Sequence, residues 1–278
     1  MSTKLLLTCL LCLGLPFAAQ DGGKTPVPER GLSGAVSEEE FKAMHLLKDG
    51  EAPKLLGSEI ELAGGKAYLS LPKDAKGPLP ALVVIHEWWG LNDNVKHWTD
   101  RFAAEGYAAI AVDLYAGTVA KTSDDAMKAM RAVDAKKGEE IIAKAMEFLR
   151  KDERIRAKRI GSIGWCFGGG WSLKTALAAK DLDAAVIYYG HLVQDVEALK
   201  GIKARVMGIF GSKDRSIPPA DVEAFDKALT AAGVTHEIHS YEANHAFANP
   251  SNPVYDQVSA AAAWKEVRRF LADALKKD

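Results

Sequence analysis

Arg159-Ile160-Gly161-Ser162-Ile163-Gly164-Trp165-Cys166-Phe167-Gly168-Gly169 is the stretch on which the reading of this chain turns. The apolar run 159–163 predicts a strand and residues 172–180 predict a helix, so Cys166 falls where a strand bends sharply into a helix. Small residues at 164, 168 and 169 suit such a bend, because neighbouring backbone must pass close to it. A cysteine there projects its sulfur clear of the sheet, at the positive end of a helix. Most cysteines are simply buried apolar fillers. Two phosphate-binding readings of a glycine-rich turn fit poorly. The run ends Gly169-Gly170-Trp171 rather than Gly-Lys-Ser/Thr, and Cys166 occupies the place of the middle glycine of Gly-x-Gly-x-x-Gly.

Outward from that turn, apolar runs at 81–85, 108–112, 184–189 and 205–210 predict buried parallel strands. Residues 58–62 and 66–71 alternate polar with apolar and predict a half-buried hairpin, with Ala63-Gly64-Gly65 at its turn. A further strand is expected at 235–241. Helices are expected at 93–105, 123–133, 138–149, 220–232 and 254–275. Strands alternating with helices predict an α/β fold: a mostly parallel central sheet with helices on both faces.

The chain has 278 residues and a formal net charge of −1, which gives no indication of a nucleic-acid or membrane-surface partner. Three segments are expected. Residues 1–20, with Lys4 before an apolar stretch and Ala18-Ala19 behind it, read as a cleaved export signal, too short for the ~20 residues that span a bilayer. Residues 21–50 read as a linker and a short helix at 37–47. Residues 51–278 read as one catalytic domain. The expected location is therefore periplasmic or secreted, with lipid anchoring at Cys9 or Cys12 as the alternative. Cys9 and Cys12 lie in the signal, so the mature chain keeps only Cys166, a lone thiol in an oxidising compartment.

In an open parallel sheet, functional groups gather beyond the carboxyl ends of the strands. Those positions hold His86-Glu87-Trp88-Trp89, Cys166, Asp214 and His245. Asp214 follows Cys166 by 48 residues and His245 follows by 31 more, giving the order nucleophile, acid, histidine. A thiolate attacks acyl carbon, an imidazole shuttles the proton and a carboxylate fixes the imidazole's tautomer. His97, His191, His236 and His239 read as structural. His86-Glu87 opens like a zinc-protease motif, but residue 90 is glycine, and no metal or other cofactor is assigned.

With these residues in hand, the chain from about residue 57 onward resembles the dienelactone hydrolases, which have an α/β-hydrolase fold and a cysteine nucleophile. The resemblance rests on 86–92 (HEWWGLN), Asp113-Leu114-Tyr115, 164–169, Asp214 and His245-Ala246-Phe247. It implies a catalytic triad of Cys166, His245 and Asp214. It further implies that Glu87 takes the thiol proton when substrate arrives, and that the backbone N–H groups of Trp88 and Phe167 form an oxyanion hole. Trp89, Tyr115 and Phe247 would line an aromatic substrate pocket. Gly117 and Asn249 stand where arginines for a substrate carboxylate would be sought, so the expected substrate is a small ester or lactone other than dienelactone itself. The enzyme is expected to act as a monomer. The alternatives are a thioesterase or acyltransferase with the same triad, and a non-catalytic binding protein on the same fold.

Overall fold

The computed structural model describes residues 54–277. The expected signal, linker and 37–47 helix lie outside the described residues. The chain opens with β1 (Ser58–Leu62) and β2 (Gly65–Ser70), an antiparallel hairpin. Its turn is Ala63-Gly64, with φ of 52° and 76°, and Gly65 pairs with Leu62 in the ladder. The turn takes two of the three residues expected for it, and Gly65 already belongs to β2. A two-residue turn of this twist needs positive φ at both positions, and here an alanine accepts the first.

The alternation then begins: β3 (Ala81–Ile85), α1 (Asp93–Ala104), β4 (Ala108–Val112), α2 (Ser123–Ala132), α3 (Ala135–Lys151), β5 (Ile160–Trp165) and α4 (Phe167–Ala178). It continues through β6 (Ala184–Tyr188), α5 (Val196–Leu199), β7 (Arg205–Gly211), α6 (Pro219–Ala232), β8 (His236–Tyr241) and α7 (Gln257–Leu275). The strands form one eight-stranded sheet in the order β1-β2-β4-β3-β5-β6-β7-β8. From β4 through β8 every pairing is parallel, and only β2 runs against the other strands. This is the α/β-hydrolase fold.

The apolar runs that predicted β3, β4 and β6 are buried along their whole length because helices cover both faces. On one face Ile142, Met146 and Leu149 of α3, Trp171 of α4 and Phe225 of α6 pack together. On the other, Trp98 and Phe102 of α1 meet Trp264, Val267 and Phe270 of α7. Each such side chain contributes about 1.5–3 kcal/mol through burial, so the sheet is held from both sides. Helix starts follow capping chemistry: Asn92, Thr122, Asp134 and Asp256 each accept a backbone N–H from the first turn. Asp256 sets the start of α7 at Gln257, three residues later than periodicity suggested. The four-residue α5 was not expected; it is too short to show a period.

The largest departure concerns α4, which starts at Phe167, directly after Cys166, and not at Ser172. Glycines 168–170 are helical residues, not a loop. A Cβ on Gly168 would stand 2.2 Å from the Ile85 carbonyl oxygen, so the helix can lie against β3 only without a side chain there. Helix propensity counts glycine as a breaker, and close packing overrides it.

Candidate active site

Cys166 occupies the joint between β5 and α4 with φ 53° and ψ −114°, a conformation that costs an L-residue about 1–3 kcal/mol. The joint is pinned on both sides. The Cys166 N–H donates to the Tyr188 carbonyl at 2.9 Å, and its own carbonyl accepts from the Gly170 N–H at 3.2 Å. Beneath it, the Ser162 and Ser172 hydroxyls hydrogen-bond at 2.8 Å and tie α4 to β5. The sulfur is thus held above the carboxyl edge of the sheet, partly exposed.

Two loops bring partners to it. After β7, Asp214 is 3% exposed, and its Oδ1 accepts the N–H groups of Ser216 at 2.7 Å and Ile217 at 3.1 Å. Its Oδ2 accepts from His245 Nδ1 at 2.7 Å. Nδ1 is therefore the protonated nitrogen, and Nε2 is left for the sulfur. Cys166 lies near enough to act on the imidazole electrostatically. The two loops also brace each other: Ser212 N–H donates to the Tyr241 carbonyl and Lys213 N–H to that of Ala243. Burial pushes the His245 imidazole towards its neutral form, but the sulfur and the Asp214 carboxylate outweigh it and hold its pKa well above the ordinary value.

Glu87, 5% exposed, lies after β3. Its Oε2 accepts from Asn249 Nδ2 at 2.5 Å, while Oε1 has no partner among the described residues. Burial raises its pKa to about 7, against the opposing pull of His245 and the Asn249 bond. The glutamate's hydrogen-bond partner is the Asn249 amide. The sequence alone marks Asn249 only as standing where an arginine would be sought. That it stands where a Glu87 partner was needed was invisible, because the two residues are 162 positions apart.

The sequence also undervalued His86. Its Nδ1–H donates to the Glu87 carbonyl at 2.6 Å, and its Nε2 accepts the Leu114 N–H at 3.1 Å. The fully buried ring is held neutral by burial and clips the loop after β3 to the loop after β4. It also stacks on Phe167 with centroids 5.6 Å apart. Every nitrogen is thereby occupied with backbone, which leaves no electron pair for a metal.

The remaining expected residues divide. Among the described residues, the N–H groups of Trp88 and Phe167 find no acceptor, as befits Phe167 at the first position of a helix. Trp88 and Trp89 form a T-shaped pair at 4.9 Å and stay partly exposed. Tyr115 is almost buried against His86 and Phe167. Phe247 does not line a pocket. It is fully buried and packs on Tyr189 and Tyr241. Arg215 is exposed on the loop after β7. No helix among the described residues is long and apolar enough to cross a membrane.

Residues 66–275 match the profile of the dienelactone hydrolase family. Protein usf of Aquifex pyrophilus is 33% identical over 229 residues, covering 78% of this chain and 97% of that protein. A "Putative carboxymethylenebutenolidase" of Aquifex aeolicus is 31% identical, over 78% of this chain and 98% of its own. The crystal structure of a "Putative Dienelactone Hydrolase" from Klebsiella pneumoniae superposes with a TM-score of 0.72 at 29% identity, covering 78% of this chain and 98% of that one. With fold, strand-end residues and these relatives in agreement, the chain belongs to the dienelactone hydrolase family and is a hydrolase.

Proposed function

We propose that this enzyme hydrolyses small, uncharged carboxylic esters or lactones through a covalent thioester on Cys166. The supporting observations are the 2.7 Å hydrogen bond from His245 Nδ1 to Asp214 and the electrostatic pull of Cys166 on the same imidazole, at the carboxyl edge of the sheet. His245 Nε2 takes the thiol proton, and the sulfur attacks the carbonyl carbon. The carbonyl electron pair moves onto oxygen and is met by the N–H groups of Trp88 and Phe167. Each such donor lowers the barrier by roughly 3 kcal/mol in comparable enzymes. Collapse of the oxyanion expels the alkoxide, which receives the proton from His245. Water then gives a proton to His245 as it attacks the thioester, and the acid leaves with the thiol restored.

Glu87 works as a buried acid-base reserve beside this relay. With a pKa near 7 it exchanges a proton near neutral pH, where an imidazole-based relay also operates. The uncharged substrate follows from the side chains on the loops that follow β3, β4 and β5. Trp88, Trp89, Tyr115 and Phe167 are apolar or neutral, and the Asn249 amide is already engaged by Glu87. A desolvated substrate carboxylate would find no cation among them.

Two measurements test the reading. Cys166→Ala should retain the fold and lose turnover of p-nitrophenyl acetate, and mass spectrometry of the quenched wild-type reaction should find an acetyl group on Cys166. Turnover by Cys166→Ala at the wild-type rate would remove the thiol from the reaction. On the composition of residues 1–20 alone, we place the mature enzyme outside the cytoplasm. N-terminal sequencing of the exported protein would reveal whether that segment is removed.

A further inference from the structure

Tyr115 follows β4 at the same edge of the sheet as Cys166, and its backbone is fixed in place. Asp113 accepts its N–H through Oδ1 at 2.8 Å and that of Gly117 through Oδ2 at 2.5 Å. Ala116 and Gly117 turn the chain with φ of 51° and 88°. The ring meets His86 edge-on at 4.6 Å and lies 5.3 Å from Phe167. It is thus wedged between the two segments that carry the Trp88 and Phe167 N–H groups.

The hydroxyl is what the packing leaves unexplained. Its oxygen is buried and has no hydrogen-bond partner among the described residues. Leaving a buried hydroxyl unpaired costs about 1–3 kcal/mol, and buried tyrosines ordinarily find a partner. A phenylalanine would pack the same ring without that cost. Burial first, and then charge on Cys166, push the phenol's pKa up, so the hydroxyl lies within electrostatic reach of the sulfur.

We propose that the Tyr115 hydroxyl is a third donor to the oxyanion formed when Cys166 attacks the substrate carbonyl, beside the N–H groups of Trp88 and Phe167. The proposal rests on the acyl-enzyme reading above. As the sulfur–carbon bond forms, the carbonyl electron pair moves onto oxygen and the phenol O–H hydrogen-bonds to it, with no proton transferred. Collapse of the oxyanion returns the pair to the carbonyl and releases the hydroxyl. A donor unpaired in the resting enzyme and paired in the transition state stabilises the second selectively, which is the requirement for catalysis.

The test is Tyr115→Phe with three probes. With p-nitrophenyl acetate, kcat/KM should fall about 10–100-fold, somewhat below the loss of a preformed oxyanion donor elsewhere. Affinity for trifluoroacetophenone, whose adduct with a thiolate carries the same oxyanion, should fall by the same factor. Alkylation of Cys166 by iodoacetamide forms no oxyanion and should stay within about twofold of wild type. Unchanged esterase activity, unchanged ketone affinity, or alkylation falling in step with esterase activity would each overturn the proposal, the last by making Tyr115 a packing residue for the thiol. Absence of any acetyl-Cys166 in the wild-type enzyme would instead fell the acyl-enzyme reading.

Discussion

At the scale of single residues, Asp214 shows how one side chain sets the chemistry of another. Oδ1 is occupied by two backbone N–H groups, and only Oδ2 faces the imidazole. In Asp214→Asn the backbone bonds would keep the remaining carbonyl oxygen at the Oδ1 position. The new amide would then present N–H to His245 Nδ1, which must accept. Nε2 would carry the proton and point it at the sulfur, unable to take one. The fold should survive while kcat falls about a thousandfold or more, as a wrong tautomer does in serine enzymes. Activity within tenfold of wild type would show that the Asp214–His245 bond does not govern the reaction. The counterpart at Glu87 is Asn249. Asn249→Ala leaves the glutamate without its one assigned hydrogen bond, so its pKa should climb further above 7. The pH dependence of kcat/KM should shift upward accordingly, while a merely structural loss would lower the whole profile without moving it.

At the scale of elements, the legible and the hidden separate by physical cause. β3, β4, β6 and β7 stood out in the sequence because parallel strands buried on both faces are written as unbroken apolar runs. Cys166 and Asp214 could be picked out because each follows a buried strand, and His245 because it follows β8, the last strand of the alternation. The start of α4 was hidden, because its first turn is glycine and local propensity argues against a helix there. Glu87–Asn249 and the His86 clip were hidden because they join loops far apart in sequence, and no periodicity marks such pairs. Tertiary approach chose those residues, and α4 offers a direct check of it. A Cβ on Gly168 would meet two backbone oxygens, at 2.2 Å from Ile85 and 2.6 Å from His86, neither able to retreat without moving β3. Two residues on, a Cβ on Gly170 would meet nothing nearer than 3.4 Å, at His191. Gly168→Ala should lose about 2–4 kcal/mol and most esterase turnover, since α4 must lift off β3 and carry Phe167 with it. Gly170→Ala should be neutral or gain up to about 1 kcal/mol from helix propensity, with activity retained. Urea midpoints for the two variants decide it, and equal losses would show that glycine here serves flexibility rather than close approach.

At the scale of the whole molecule, the site draws on global stability in a way that depends on pH. The folded state raises Glu87 from an ordinary 4.5 to about 7, chiefly by burial. Below about pH 4.5 the carboxyl is protonated in both folded and unfolded chains and carries no penalty. Between those two values the folded protein binds the proton and the unfolded chain does not, so stability falls as pH rises. Above about 7 the full difference is felt. Two and a half units amount to about 3 kcal/mol at 1.36 kcal/mol per unit. Glu87→Gln keeps the shape and cannot ionise, so it escapes the penalty. Its stability advantage over wild type should therefore widen by up to about 3 kcal/mol between pH 4.5 and pH 8, roughly 6–12 °C in Tm for a domain of this size. Calorimetric scans of both proteins across that range measure the widening. Other titrating groups move both curves together and cancel in the difference. Parallel curves would mean that Glu87 ionises as freely when folded as when unfolded. A gap that narrows towards high pH would mean the folded protein favours the carboxylate, reversing the sign of its burial. Such a widening would also place the cost of a buried acid beside His245 within the few kcal/mol that separate a folded domain from its unfolded chain.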